Sequence, residues 1–139
     1  YNILNTNLLS YIFCCREVLK IMLPQRYGNI INISSISAQR PNKGQSVYAA
    51  TKGAIESMTK ALSVEMAPKN IRVNAIAPGI IRTEMVETFL KSNQDIIKDR
   101  VLLRKPGDVV HVIRGVEYLL NNDYVTGEVI NINGGLSLT

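Results

Sequence analysis

At 139 residues, with 46% hydrophobic and 19% charged side chains, the chain has the size and composition of one globular domain, without the bias of a disordered or collagen-like sequence. Sixteen basic against eleven acidic residues give +5, spread along the chain, which reads as a solvated positive surface or the footprint of an acidic partner. No basic stretch is interleaved with aromatics, which argues against nucleic acid, and the longest apolar stretch, Leu8 to Cys15, is too short to span a bilayer.

From Leu4 to Leu23, apolar residues recur three or four apart at Leu4, Leu8, Ile12, Cys15, Leu19 and Met22, which predicts an amphipathic helix stopped near Pro24. Cys14 and Cys15 are adjacent, where a mutual bridge would be strained, and no third cysteine exists, so both are expected to be reduced. Ile30 to Ile33 reads as a short buried strand running into Ser34-Ser35, and Ala38 to Gln45, with Pro41, Asn42 and Gly44, is loop chemistry. Ser46 is a candidate N-cap for a helix through Tyr48, Ile55, Met58, Leu62 and Met66 to a stop at Pro68. Ile71 to Gly79 is a second strand ending in Pro78-Gly79. Thr83 to Val101, with Met85, Val86, Phe89, Leu90, Ile96 and Ile97, predicts one or two short helices capping a cleft. Pro106 to Leu120 reads as a further helix and Glu128 to Asn133 as a last strand before Gly134-Gly135. Strands alternating with helices imply a parallel sheet covered by helices, in one domain or part of one. The single His111 cannot build a metal cluster and no Cys/His spacing suggests zinc.

The most informative pair is Tyr48 and Lys52. Residues four apart lie on one helix face, so an ammonium is set beside a phenol. A phenol titrates near ~10 unaided and a neighbouring cation favours its ionised form, which makes an acid/base device. Small residues Ala49, Ala50, Gly53 and Ala54 flank the pair. Because a helical glycine costs about 1 kcal/mol relative to alanine, Gly53 suggests close approach by another helix or backbone, from this chain or a second subunit.

The order strand-Ser, helix with Tyr48-Ala49-Ala50-Thr51-Lys52, strand-Pro78-Gly79, together with Asn5-Thr6-Asn7, Val125-Thr126-Gly127 and Asn133-Gly134-Gly135, resembles the short-chain dehydrogenase/reductase family, nearest the 3-oxoacyl-acyl-carrier-protein reductase group. The likeness covers the whole chain but not the family's first half, since no TGxxxGxG turn or Asn-Asn-Ala-Gly segment occurs. It implies the C-terminal half of a Rossmann-like, doubly wound parallel α/β domain, residues 1–139 forming its catalytic and nicotinamide side, with Tyr1 already inside a helix. The faces of Ile30 to Ile33 and Ile71 to Ala77 are then expected to lack neighbours.

By the same resemblance Tyr48 is the proton donor to a ketone oxygen, and Lys52 assists it and bonds the nicotinamide ribose. Ser35 holds the substrate carbonyl, although on chemistry alone Ser34 and Ser37 compete. Asn7, rather than Asn2 or Asn5, holds a water that relays protons toward the lysine. Pro78, Gly79, the Ile81 N–H and the Thr83 hydroxyl would receive the nicotinamide carboxamide, past a strand's carboxyl end where open α/β sheets bind ligands. The implied cofactor is NADP, with NAD as the other choice. The implied reaction is reduction of a carbonyl on an acyl carrier protein or small molecule, in the cytoplasm, by a homo-oligomer, with Arg26 and Lys69 as basic docking positions at the mouth of the cleft. Two other readings stay open: an NAD-dependent dehydrogenase of another secondary alcohol such as a sugar or steroid, or a non-catalytic interaction or dimerisation fragment.

Overall fold

A computed structural model describes residues 2–139. Tyr1, placed above in the first helix, and the side chains of Met85 and Phe89, placed above in the short helices, lie outside the described residues, as does that of Gln94. The first helical run is α1 (Asn2–Leu4), a π-helical turn Asn5–Leu9, and α2 (Ser10–Gln25). Next come β1 (Gly28–Ile33), a 3-10 turn Ile36–Ala38, α3 (Ser46–Met66), a 3-10 turn Ala67–Lys69 and β2 (Ile71–Pro78). The remainder is β3 (Ile81–Arg82), α4 (Glu84–Ser92), α5 (Gln94–Arg100), β4 (Gly107–Asp108), α6 (Val109–Asn121), β5 (Val129–Ile132) and a last 3-10 turn Leu136–Leu138.

The main sheet runs β1-β2-β5, all parallel, with Gly28 opposite Ile71 and Ala75 opposite Val129. This is the parallel, helix-covered sheet of a Rossmann-like α/β fold. Alternation along β1 and β2 sends Ile30 and Val73 to one face, where they pack with Cys15, Val18, Leu19 and Met22 of α2 and Met58, Leu62 and Met66 of α3. The opposite face meets α6, whose Leu119 is fully buried. As the middle strand, β2 is buried from Val73 to Ala77, which corrects the expectation that Ile71 to Ala77 would want for neighbours. Ile33, at 36% exposure, remains half open.

The polar core of the α2/α3 layer is internally satisfied: Asn32 Nδ2 donates to Thr59 Oγ1 at 2.9 Å, and its Oδ1 receives the Cys15 thiol at 3.8 Å. Both cysteines are free, Cys14 exposed and Cys15 buried, as expected of reduced thiols.

Several boundaries move for identifiable reasons. The first helix passes through Pro24 and ends in a left-handed Arg26, whose N–H bonds the Leu23 carbonyl. Its predicted apolar stripe packs on the sheet from Cys15 onward, whereas Leu4 and Ile12 are exposed; Leu4 precedes the π turn, whose extra residue rotates it off the core line. Ser46 is the first helical residue rather than the cap. Gln45 takes that position, its Oε1 accepting instead from Asn42 N–H at 2.9 Å and from Ser37 Oγ at 3.1 Å. The later helix begins at Val109, not Pro106. Gly107 and Asp108 pair with β3, and the Asp108 side chain with the His111 ring closes a reciprocal cap.

Candidate active site

Parallel strands deliver their carboxyl ends to one edge of the sheet, and there β1 and β2 open into a cleft of about 910 Å³. Ser35, Tyr48, Lys52, Pro78, Gly79, Ile81 and Thr83 all line it. The pair α4 and α5 covers one side, with Val86, Ile96 and Arg100 turned inward, the position expected of the short helices. Arg26 and Lys69 do not reach the mouth. They stand in the turns that precede β1 and β2, joined by Arg26 Nη2 to the Pro68 carbonyl at 3.3 Å, at the opposite edge of the sheet. Six residues of β1 put that edge ~20 Å from the cleft. Beside Arg40 and Arg100 in the cleft itself, Arg82, Lys91, Lys98, Arg104 and Lys105 flank the covering helices, around a separate cavity of about 300 Å³.

Lys52 is 8% exposed and its ammonium donates to the Ile33 carbonyl at 2.9 Å, where β1 ends. Burial holds it below the ordinary lysine range, and among the described residues no carboxylate pairs with it. Aromatic faces surround it instead: the ring centroids of Tyr48 and Tyr11 lie 5.8 and 5.3 Å from Nζ. Helical spacing thus sets the ammonium over the Tyr48 ring, and Tyr48 lines the cleft, its hydroxyl making no hydrogen bond among the described residues. Tyr11 escaped the sequence reading. Its hydroxyl donates to the same Ile33 carbonyl at 3.1 Å, and burial, then the nearby Tyr48, holds its phenol above the usual value. The available signal was its place four residues after Asn7.

The three serines separate by what they already do. Ser34 is buried and donates to Glu56 Oε1 at 2.9 Å, and Ser37 Oγ donates to Gln45 Oε1 at 3.1 Å. Among the described residues Ser35 Oγ only accepts, from Ser37 N–H at 3.1 Å, so its hydroxyl hydrogen is left to serve a ligand. Asn7 is half-buried inside the π turn that packs against α3; it is not part of the cleft wall and its side chain makes no hydrogen bond among the described residues.

At Gly79 a Cβ would stand 2.7 Å from the Cα of Asn133, so the glycine is required by the closing segment, which it approaches while its N–H bonds the Ile132 carbonyl at 2.9 Å. The Asn133 side-chain nitrogen beside it is buried without a partner among the described residues. The Thr83 hydroxyl does not cap α4, makes no hydrogen bond among the described residues, and lines the cleft. A Cβ added at Gly53 would meet nothing within 4 Å, so packing among the described residues does not explain the glycine. No group of three His, Cys, Asp or Glu side chains that could hold a metal occurs among the described residues, and no described helix is long and apolar enough to cross a membrane.

The family model described as enoyl-(acyl carrier protein) reductase matches residues 1–137. The 3-oxoacyl-[acyl-carrier-protein] reductase of Bos taurus is 42% identical over 136 residues, 98% of this chain and 56% of its own length. Among solved structures, ElxO with NADP bound superposes with a TM-score of 0.90 at 36% identity, over 98% of this chain and 57% of its own. A 4-hydroxyisoleucine dehydrogenase complexed with NADH gives 0.92 at 32% identity, over 96% and 57%. The chain therefore spans about half the length of the proteins it matches.

Proposed function

The chain belongs to the short-chain dehydrogenase/reductase family, and from that membership we propose that it forms the catalytic half of an NADP-dependent reductase of 3-oxoacyl thioesters on acyl carrier protein. The observation that carries this reading is the convergence, at one strand edge, of a free phenol, a buried ammonium and a serine whose hydroxyl hydrogen is unspent.

The cleft suits the nicotinamide side of the cofactor. Lys52 has two further N–H donors beyond the one given to Ile33, and the Thr83 hydroxyl and the turn Pro78-Gly79 with Ile81 face the same space. When bound, a reduced nicotinamide supplies the hydride. Ser35 donates to the substrate carbonyl oxygen and orients it, and Tyr48 delivers the proton that oxygen needs as it gains charge. Lys52 keeps a positive charge near the phenolate left behind, and Asn7, one turn before Tyr11, holds the water that restores the proton. Two donors directed at one oxygen suit a carbonyl, which favours ketone reduction over reduction of a carbon–carbon double bond.

The test is to supply the complete enzyme with a 3-oxoacyl thioester and either NADPH or NADH, following loss of nicotinamide absorbance. Turnover at least tenfold faster with NADPH is expected; no turnover of the thioester, with sugar or steroid alcohols instead reducing NAD+ to NADH, would favour the dehydrogenase reading.

An acidic carrier arriving at this cleft would meet Lys98 and Arg104 beside the covering helices, whereas Arg26 and Lys69 would reach it only from a neighbouring copy. Lys98→Glu with Arg104→Glu is expected to lower kcat/KM for the carrier-borne substrate about tenfold at low salt and to leave a free thioester unchanged.

Open space at Gly53 supports self-association through α3 in a homo-oligomeric cytoplasmic enzyme. Gly53→Ala is expected to leave the monomer as stable or up to about 1 kcal/mol more so, by thermal unfolding, while weakening association in sedimentation.

A further inference from the structure

Lys52 presents an unusual balance: an ammonium only 8% exposed, held by one backbone carbonyl and, among the described residues, no carboxylate. A buried cation must recover elsewhere what it loses on leaving water. The aromatic neighbours are the remaining source, and Tyr48 is committed to the reaction by its proposed role as proton donor. Tyr11 is the other. Its ring centroid lies 5.3 Å from Nζ, nearer than that of Tyr48 at 5.8 Å, and its hydroxyl donates to the Ile33 carbonyl that also accepts from Lys52. One carbonyl thus joins α2, β1 and α3. The ring is fixed at both ends, by its helix and by its own hydroxyl, so it forms a rigid wall beside the ammonium.

We infer that Tyr11 is a positioning residue for Lys52, supplying the aromatic face and the shared carbonyl contact that hold the ammonium in place and charged beside Tyr48. The inference rests on the reductase reading for its effect on turnover, but the contact itself does not.

Leucine is close in size, keeps the site dry and lacks both the π face and the hydroxyl; phenylalanine keeps the face and loses only the hydroxyl. In the complete enzyme Tyr11→Leu is expected to lower kcat about tenfold with the KM for the carbonyl substrate within twofold, and Tyr11→Phe to stay within about threefold of wild type. A readout independent of turnover is acylation of the Lys52 amine by an N-hydroxysuccinimide acetate, followed by mass spectrometry. Without the aromatic face the charged form loses a stabiliser, so labelling is expected to rise about fivefold in the leucine variant and to change little in the phenylalanine one. A merely structural tyrosine would shift the melting temperature and leave that contrast absent. Tyr11→Met serves alongside should the leucine protein not fold. Unchanged Lys52 labelling in the Leu or Met variant overturns the inference, as does kcat within twofold of wild type in an active enzyme. Should the wild-type protein reduce no carbonyl, the reductase reading fails, and the labelling contrast alone decides the inference.

Discussion

Tyr48→Phe in the complete enzyme is expected to lower carbonyl reduction by a factor of about 10² to 10⁴, the range associated with a positioned general acid. The substitution removes one oxygen whose hydrogen makes no bond among the described residues, so nothing in the fold is left unpaired. The ring remains available to Lys52, and the ammonium keeps its bond to the Ile33 carbonyl. Cofactor affinity measured by fluorescence titration should therefore stay within about threefold, and the melting temperature should hardly move. The loss should fall on kcat, with KM little affected. Retention of more than about a tenth of wild-type turnover would remove Tyr48 from the role of proton donor.

Asn74→Ala should unfold the protein far more readily, destabilising it by about 2 to 5 kcal/mol. Asn74 is fully buried in the central strand, and its side chain does two jobs: Nδ2 donates to the Val125 carbonyl at 2.9 Å and Oδ1 accepts from Glu128 N–H at 3.0 Å. Alanine would leave both backbone groups without these partners, at the point where the chain turns from α6 into β5. Arg72, which donates to the Leu119 and Val125 carbonyls at 2.8 and 3.1 Å, and Thr126 Oγ1, which accepts from Val73 N–H, would still hold part of the segment. The damage should therefore concentrate in residues 125–129, which are expected to exchange amide hydrogens fastest in the variant. Urea unfolding that changes by less than about 1 kcal/mol would show that water replaces the lost contacts.

The helix bearing Tyr48 and Lys52 and the strands ahead of Ser35 and after Asn70 were legible because each is local. Periodicity, a proline stop and a Pro-Gly turn are written in neighbouring residues. The resemblance singled out Ser35, but on chemistry alone it was one of three serines, and what distinguishes it in the fold is that Ser34 and Ser37 spend their hydroxyl hydrogens on Glu56 and Gln45. Tyr11 was invisible because its contact with Lys52 joins two helices across the end of a strand. The π turn was equally hidden, as Leu4, Leu8 and Ile12 keep a spacing that an ordinary helix would satisfy. The misplacement of Arg26 and Lys69 is different in kind. In a parallel sheet, residues that enter a strand and residues that leave it lie at opposite edges, so two turns at the amino ends of β1 and β2 could not border a cleft built at the carboxyl ends of the same strands.

The Ile33 carbonyl makes this site partly opaque to substitution. The oxygen that receives both Lys52 and Tyr11 belongs to the peptide unit, present whatever side chain position 33 carries, and that side chain is itself 36% exposed. A saturation scan would score the position as permissive and pass over an atom on which the ammonium depends. Its weight would emerge only from changing the main chain: an ester in place of the amide between Ile33 and Ser34 weakens the acceptor without touching a side chain, at the cost of the Ser34 N–H bond to the Ile76 carbonyl.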